Sequence, residues 1–290
     1  MLQSLFRDIT KALSAVYDQH EARTVAFMLL ESLLHVSRVD ILADKDINFS
    51  SIQRNQLQGM LDRLVKHEPV QYVLGVAEFC GLTLEVGPEV LIPRPETEEL
   101  VQWVCDDLEG VVSPSIIDVC TGSGCIALAL AHRFPEANIR ATDLSEAALV
   151  VARRNARCLS LPVTFRPADA LGGNPFGDEE SEQSPLFDVV VSNPPYIRQC
   201  ERADIDTNVI DFEPEQALFV PDDFPLVFYE AIAHAALSRL KPGGSIYFEI
   251  NSGLGQQTLA MLSSLGYTHT ELRRDLYSND RMVKVTASFP

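Results

Sequence analysis

Two short stretches of the chain carry residue types whose spacing suits chemistry. Asp118-Val-Cys-Thr-Gly-Ser-Gly124 follows the apolar run Ile116-Ile-Asp-Val119 and leads into a helical pattern from Cys125. Gly122 and Gly124 let the backbone turn tightly and approach a ligand closely. The helix beyond them offers unpaired N–H groups to a carboxylate or phosphate. Asp143 closes the next strand about twenty residues on, where a carboxylate can accept both hydroxyls of a ribose. A tight turn beside an acidic strand end would use some of the same residues. Strand, turn, helix and distant Asp together favour a nucleoside-bearing cofactor, without separating nicotinamide, flavin and S-adenosylmethionine.

The second stretch is Ser192-Asn-Pro-Pro-Tyr-Ile197, directly after the apolar run Phe187-Asp-Val-Val-Val191. It falls at the carboxyl edge of a sheet, where open α/β folds bind ligands. Pro194 and Pro195 stiffen the backbone, so Asn193 and nearby carbonyls are held outward, and Tyr196 supplies a flat ring. A side-chain acceptor, a backbone acceptor and a ring are what a planar –NH2 group requires: two acceptors for two hydrogens and a face to lie against. The expected catalytic set is Asn193, Pro194 and Tyr196, with Pro195 completing the substrate-facing segment and Asn193 also bordering the cofactor.

These segments need a scaffold. From Ser115 onward short apolar strands alternate with helices: strands at Ile116–Val119, Ile139–Thr142, Val163–Arg166, Phe187–Val191 and Ser245–Ile250, and helices over Cys125–Phe134, Glu146–Leu159 and about Leu226–Leu240. Such alternation predicts a parallel sheet covered on both faces. Tyr267–Glu271 and Met282–Ser288, joined by too few residues for a crossover helix, predict an antiparallel hairpin at the sheet edge. Upstream, residues 1–75 read as helices, with Ser50 and Ser51 as candidate caps before Leu57, Met60, Leu61 and Leu64. Residues 76–98 read as a β-hairpin turning at Gly87-Pro88 and a linker, and 99–290 as the cofactor-binding domain. Pro95, Glu96 and Thr97 suit the first turn of a helix. Gly172 to Pro185, with the acidic run Asp178–Glu182, reads as a mobile surface loop.

Composition narrows the class. The chain has 290 residues, 46% hydrophobic and 22% charged, enough for a core and for about two domains. Twenty-three Lys and Arg against 41 Asp and Glu leave a net charge of −18. That disfavours non-specific nucleic-acid binding and suits encounter with a basic protein. The six cysteines form no Cys-x-x-Cys pair and have no metal-ligand spacing, which predicts small buried thiols and no metal site. No signal-peptide core or membrane-length apolar run occurs, so a cytoplasmic protein is expected, here as a monomer. His132 and Trp103 read as surface or packing residues.

The motifs resemble a family. Asn-Pro-Pro-Tyr behind a Gly-rich first strand resembles methyltransferases that act on planar amino or amide nitrogens. More specifically, the chain resembles the bacterial release factor glutamine methyltransferases, through Pro69-Val-Gln-Tyr72, Gly75, Glu78-Phe79, Ile92-Pro-Arg-Pro-Glu-Thr-Glu98, Asp118–Gly124, Ser192–Ile197, Phe212-Glu-Pro214 and Ala217-Leu218. Relatives acting on a ribosomal-protein glutamine share Asn-Pro-Pro-Tyr but resemble the Pro93–Glu98 segment less. The resemblance implies a Rossmann-like class I methyltransferase sheet, mostly parallel with an antiparallel last strand, and an N-terminal helical domain that recognises substrate. It implies methyl transfer from S-adenosylmethionine to the Gln of the Gly-Gly-Gln motif of peptide chain release factors. By position, Cys120, Thr121, Gly122, Ser123 and Gly124 would line the methionine part of the cofactor, Asp143 would hold its ribose, and Asp169 and Ala170 would flank its adenine. Cys120 stands where many such loops have Gly, and Ala170 where some members carry an aromatic ring. An adenine methyltransferase of nucleic acid and a non-catalytic cofactor-binding module are the competing readings.

Overall fold

The computed structural model describes residues 2–177 and 186–286, and the chain divides into two compact units, 1–76 with 206–212 and 77–205 with 213–290. The first unit holds α1 (Leu2–Leu13), α2 (Gln19–Leu34), α3 (Arg38–Leu42), α4 (Ser51–Leu64) and α5 (Val70–Leu74). Local chemistry sets their ends. The Asp18 carboxylate accepts from Glu21 N, and Ser37 with Asp40 and Ser50 with Gln53 form capping boxes. Ser50, not Ser51, is therefore the cap that opens α4. Ile9, Leu13, Ala26, Leu29, Leu57 and Leu64 recur at helical spacing and close a core.

The second unit, from Ala77, holds most of β1 (Val76–Phe79) and all of β2 (Leu82–Glu85), which pair with each other. Their turn is Cys80-Gly81 rather than the expected Gly87-Pro88. Cys80 and Gly81 both have positive φ (48° and 77°), the combination that matches the twist of a two-residue hairpin. Pro88 has no N–H to give a ladder, and Gly87–Ile92 runs on as a loop. Then follow α6 (Pro95–Asp107), β3 (Ser115–Val119), α7 (Cys125–Arg133), β4 (Asn138–Asp143), α8 (Glu146–Leu159), β5 (Val163–Pro167), β6 (Phe187–Ser192) and β7 (Ile197–Arg198). After α9 (Thr207–Phe212), which groups with the helical unit, come β8 (Phe219–Val220), α10 (Val227–Ala236), β9 (Leu240–Glu249), α11 (Gly255–Ser264), β10 (His269–Arg274) and β11 (Asp280–Thr286).

Seven strands form one sheet in the order β10-β11-β9-β6-β3-β4-β5. The five from β9 to β5 run parallel, and β11 lies antiparallel to both its neighbours. The closing hairpin is thus at the edge, as its short connection requires, with the last strand tucked inside. Residues 287 and 288 of the expected final strand lie outside the described residues. Alternate side chains serve opposite faces: Ile116, Val189, Val191 and Tyr247 pack with α6 and α7, while Ile117, Val190, Ile246 and Phe248 pack with α10 and α11. This double burial is why the strands read as nearly continuous apolar runs.

Two expectations need correction. The segment after Gly172 is not all surface. Phe176 is buried against Phe187, and the Pro175 carbonyl accepts from Thr142 Oγ1 at 2.8 Å, so two apolar residues anchor it to the sheet. The acidic run Asp178–Glu182 lies outside the described residues. Nor are all six free cysteines buried: Cys158 and Cys200 are exposed, one on the outer side of a helix and one on a surface turn. Trp103 is core, edge-on to Tyr247 at 5.6 Å, and His132 is exposed.

Candidate active site

Strand register brings the site together. Val119 pairs with Thr142 on one side and Ser192 on the other, and Ser192 pairs with Phe248. The residues one step beyond, Cys120, Asp143, Asn193 and Glu249, therefore emerge side by side at the carboxyl edge. Between β3 and β6 the chain order of the sheet reverses, which opens a crevice. A cavity occupies it. Cys120, Thr121, Gly122, Ser123, Asp143, Asp169, Ala170, Asn193 and Pro195 all line it.

The Gly-rich loop is held from within. Thr121 Oγ1 donates to Asp118 Oδ2 at 2.5 Å, and the same oxygen accepts from Ala127 N at 3.3 Å. At least one of the N–H groups in the first turn of α7 is thus spent inside the protein rather than offered to a ligand. Asp118 is buried with Oδ1 unpartnered among the described residues, and burial pushes its carboxyl up to about 7. Gly122 has a φ of 55° and donates its N–H to Asp143 Oδ2 at 2.8 Å, while Asp143 Oδ1 accepts from Ser145 N at 2.8 Å. Burial raises the Asp143 pKa, and these two N–H bonds act in the opposite direction. Each oxygen keeps a lone pair for a ligand. Gly124, at a φ of 84°, is not part of the cavity wall. A Cβ there would sit 3.2 Å from both Ala152 Cβ and Leu128 Cδ1, so the glycine serves close packing of α7 on α8. Cys120 takes the left-handed conformation (φ 62°) without being glycine.

The opposite wall carries Asn193. Its Nδ2 donates to Thr97 Oγ1 at 3.1 Å, and Thr97 Oγ1 donates to Glu249 Oε2 at 2.6 Å. Glu249 Oε1 accepts from the Tyr196 hydroxyl at 3.0 Å. Burial drives the Glu249 carboxyl up, opposed by these two hydrogen bonds and by the Arg281 charge. Pro194 and Tyr196 do not line the cavity. The Tyr196 side chain is partly buried against the core, with its hydroxyl tied to Glu249. Burial and the Glu249 charge hold its phenol well above the ordinary range.

Sequence reading missed Glu249 and misjudged Thr97. Pro95, Glu96 and Thr97 do form the first turn of α6, which has no side-chain cap bond, but Thr97 is buried and bonded to Glu249. The rest of the Pro93–Glu98 segment is similarly engaged. Arg94 pairs with buried Glu213 at 2.5 Å, Glu213 Oε2 accepts from Ile92 N at 3.0 Å, and Glu98 accepts from Cys80 N at 2.7 Å. Glu213-Pro214 thus braces the loop over the cavity. Leu144 and Leu171, exposed yet on the cavity wall, were also missed; an apolar residue beside each expected ligand contact was the only available signal.

Comparison with known proteins agrees with this geometry. Residues 4–75 match the PrmC N-terminal domain and residues 97–215 the methyltransferase small domain. The release factor glutamine methyltransferase of Bacteroides thetaiotaomicron is 40% identical over 275 residues, 95% of this chain and 96% of that one. That of Flavobacterium psychrophilum is 37% identical over 288 residues, 98% of this chain and 99% of that one. The chain belongs to the release factor glutamine methyltransferase family. A solved methyltransferase from Pyrococcus furiosus, 16% identical, shares the fold with a TM-score of 0.51 over 83% of this chain and 100% of that one.

The enzyme is a methyltransferase whose cofactor is S-adenosylmethionine, and the residues present fit that group. Ser123 Oγ is buried on the cavity wall with no hydrogen-bond partner among the described residues. Asp143 turns a braced carboxylate to the same space, and Leu144 and Leu171 add apolar surface suited to a flat base. Among the described residues no group of three or more His, Cys, Asp and Glu could hold a metal, and no helix is long and apolar enough to cross a membrane.

Proposed function

We propose that this enzyme methylates the side-chain amide nitrogen of the Gln in the Gly-Gly-Gln motif of peptide chain release factors. The observation that carries the reading is Asn193: its Nδ2 is held by Thr97, and its Oδ1 is left as the amide's acceptor beside the cofactor cavity. The release-factor target follows from near full-length similarity to relatives bearing that name.

Cys120 to Ser123 border the methionine part of the cofactor, with Gly124 positioning the loop from behind. Asp143 accepts the ribose hydroxyls, and Asp169 and Ala170 flank the adenine together with Leu144 and Leu171. When bound, S-adenosylmethionine supplies an electrophilic methyl group on a positively charged sulfur. A carboxamide nitrogen is a poor nucleophile because its lone pair is delocalised into the carbonyl. Asn193 Oδ1 and the Pro194 carbonyl accept its two hydrogens and favour a pyramidal nitrogen with the lone pair aimed at the methyl. Pro195 stiffens this segment, and Tyr196 braces it through Glu249. Catalysis is then mainly positioning and preorganised dipoles, and the amide proton becomes acidic only after transfer.

Residues 1–75 serve as the substrate-recognition domain, 76–98 as hairpin and linker, and 99–290 as the catalytic domain. The −18 charge suits a basic protein surface better than nucleic acid, and the enzyme acts in the cytoplasm as a monomer. The test is transfer of labelled methyl to a purified release factor beside one with the Gly-Gly-Gln glutamine changed to alanine. Label on the first alone is the expected result. Label on neither, with cofactor binding intact, moves the target to a ribosomal protein or an adenine amino group.

A further inference from the structure

Glu249 stands at the carboxyl end of β9, in the strand beside Asn193, and its two oxygens reach in different directions: Oε2 to Thr97 Oγ1 (2.6 Å) and Oε1 to the Tyr196 hydroxyl (3.0 Å). Thr97 comes from α6, and its hydroxyl oxygen also accepts from Asn193 Nδ2 at 3.1 Å. Thr97 and Glu249 are 2% and 1% exposed, so water does not substitute for either partner.

With Glu249 ionised, as its hydrogen bonds from Thr97 and Tyr196 and the Arg281 charge favour, the direction of each bond in this chain follows. An ionised carboxylate only accepts. The single proton of the Thr97 hydroxyl is therefore committed to Glu249, and its oxygen presents only lone pairs to Asn193. Of the two ends of the Asn193 amide, only the NH2 end can face those lone pairs. Rotating the amide by half a turn would set Oδ1 against an acceptor and present NH2 to the substrate, whose own amide offers N–H groups. That orientation is doubly unfavourable.

We propose that Thr97 and Glu249 are positioning residues that set the polarity of Asn193, so that the site presents an acceptor and selects a planar group bringing N–H donors. Glu249 orders both ends of the Asn193–Tyr196 segment at once, which explains why Tyr196 sits away from the cavity. The inference rests on the reading of Asn193 as the acceptor for the substrate amide.

The test compares Thr97→Val, which keeps the shape and removes the hydroxyl, with Thr97→Ser, which keeps the hydroxyl. Thr97→Val is expected to lower kcat about tenfold, the effect of one lost buried partner, with cofactor affinity unchanged. Thr97→Ser restores most of it. Glu249→Gln, which adds a donor to the relay, lowers kcat in the same way. The Asn193 side-chain amide resonances in a 15N–1H spectrum need no substrate; they shift in the Val and Gln variants and stay near wild type in Ser. Wild-type kcat in folded Thr97→Val, equal losses in Val and Ser, or unmoved Asn193 resonances would each overturn the proposal. If wild-type enzyme leaves the release factor unlabelled, the substrate reading fails by itself, and the resonances still decide the polarity relay.

Discussion

The two walls of the cavity are built differently. The cofactor wall is local: Thr121 closes on Asp118, Gly122 on Asp143, and Ser145 on Asp143, all within one strand-helix-strand unit and mostly through backbone N–H groups. The acceptor wall is not. Asn193 reaches Thr97 across 96 residues, and Thr97 reaches Glu249 across 152, through side chains from a strand end, a helix and another strand end. A wall made of backbone tolerates substitution of many side chains, whereas a wall made of a buried side-chain relay fails at any member. Binding of the cofactor and turnover of the substrate should therefore be separable by mutation.

The sharpest break is Asn193→Ala. It removes the acceptor and leaves substrate N–H groups unpaired, at about 1–3 kcal/mol per partner, so kcat falls roughly ten- to hundredfold. Cofactor affinity, read by calorimetric titration, moves far less. Wild-type turnover in the folded variant would remove Asn193 from the chemistry.

Asp143→Ala probes the opposite wall. Loss of the ribose acceptor, and of the anchor for Gly122 and Ser145, weakens cofactor binding about tenfold or more, as expected for hydrogen bonds to a charged group. At saturating cofactor, kcat recovers most of its wild-type value. An unchanged dissociation constant would show that the ribose is held elsewhere.

The remaining prediction concerns Asp118 behind the loop, and it is one of stability rather than of turnover or cofactor affinity. Its folded carboxyl is raised to about 7 from an ordinary 3.8, so the folded state holds the proton more tightly than the unfolded chain. Its stabilising contribution is complete below about pH 4 and is lost as pH rises toward 7. Asp118→Asn has no proton to lose. The stability difference between variant and wild type should shift in the variant's favour from pH 4 to 7 and level off above, which denaturant melts across that range can read. A constant difference would mean that Asp118 is ionised throughout.

The same contrast explains what was legible in the chain. The parallel sheet was readable because burial on both faces leaves apolar runs such as Val189–Val191, and helix Glu146–Leu159 because its apolar stripe and serine cap are local. The hairpin was placed one turn too late. Gly87-Pro88 is the stronger turn signal by composition, whereas Cys80-Gly81 needs a non-glycine residue at a φ of 48° that tertiary packing stabilises. The bond from the Tyr196 hydroxyl to Glu249 was not legible, since nothing within four residues of Tyr196 reveals a carboxylate 53 residues away.

The class of chemistry was written in local sequence: turn glycines, an acid at the next strand end and an amide followed by two stiffening prolines act through short-range geometry that neighbouring residues impose. How the amide is turned, and what holds it, came from packing between distant elements. A hydrogen bond's direction depends on the partner at its far end, and here that partner is a buried carboxylate brought in by the register of β6 against β9.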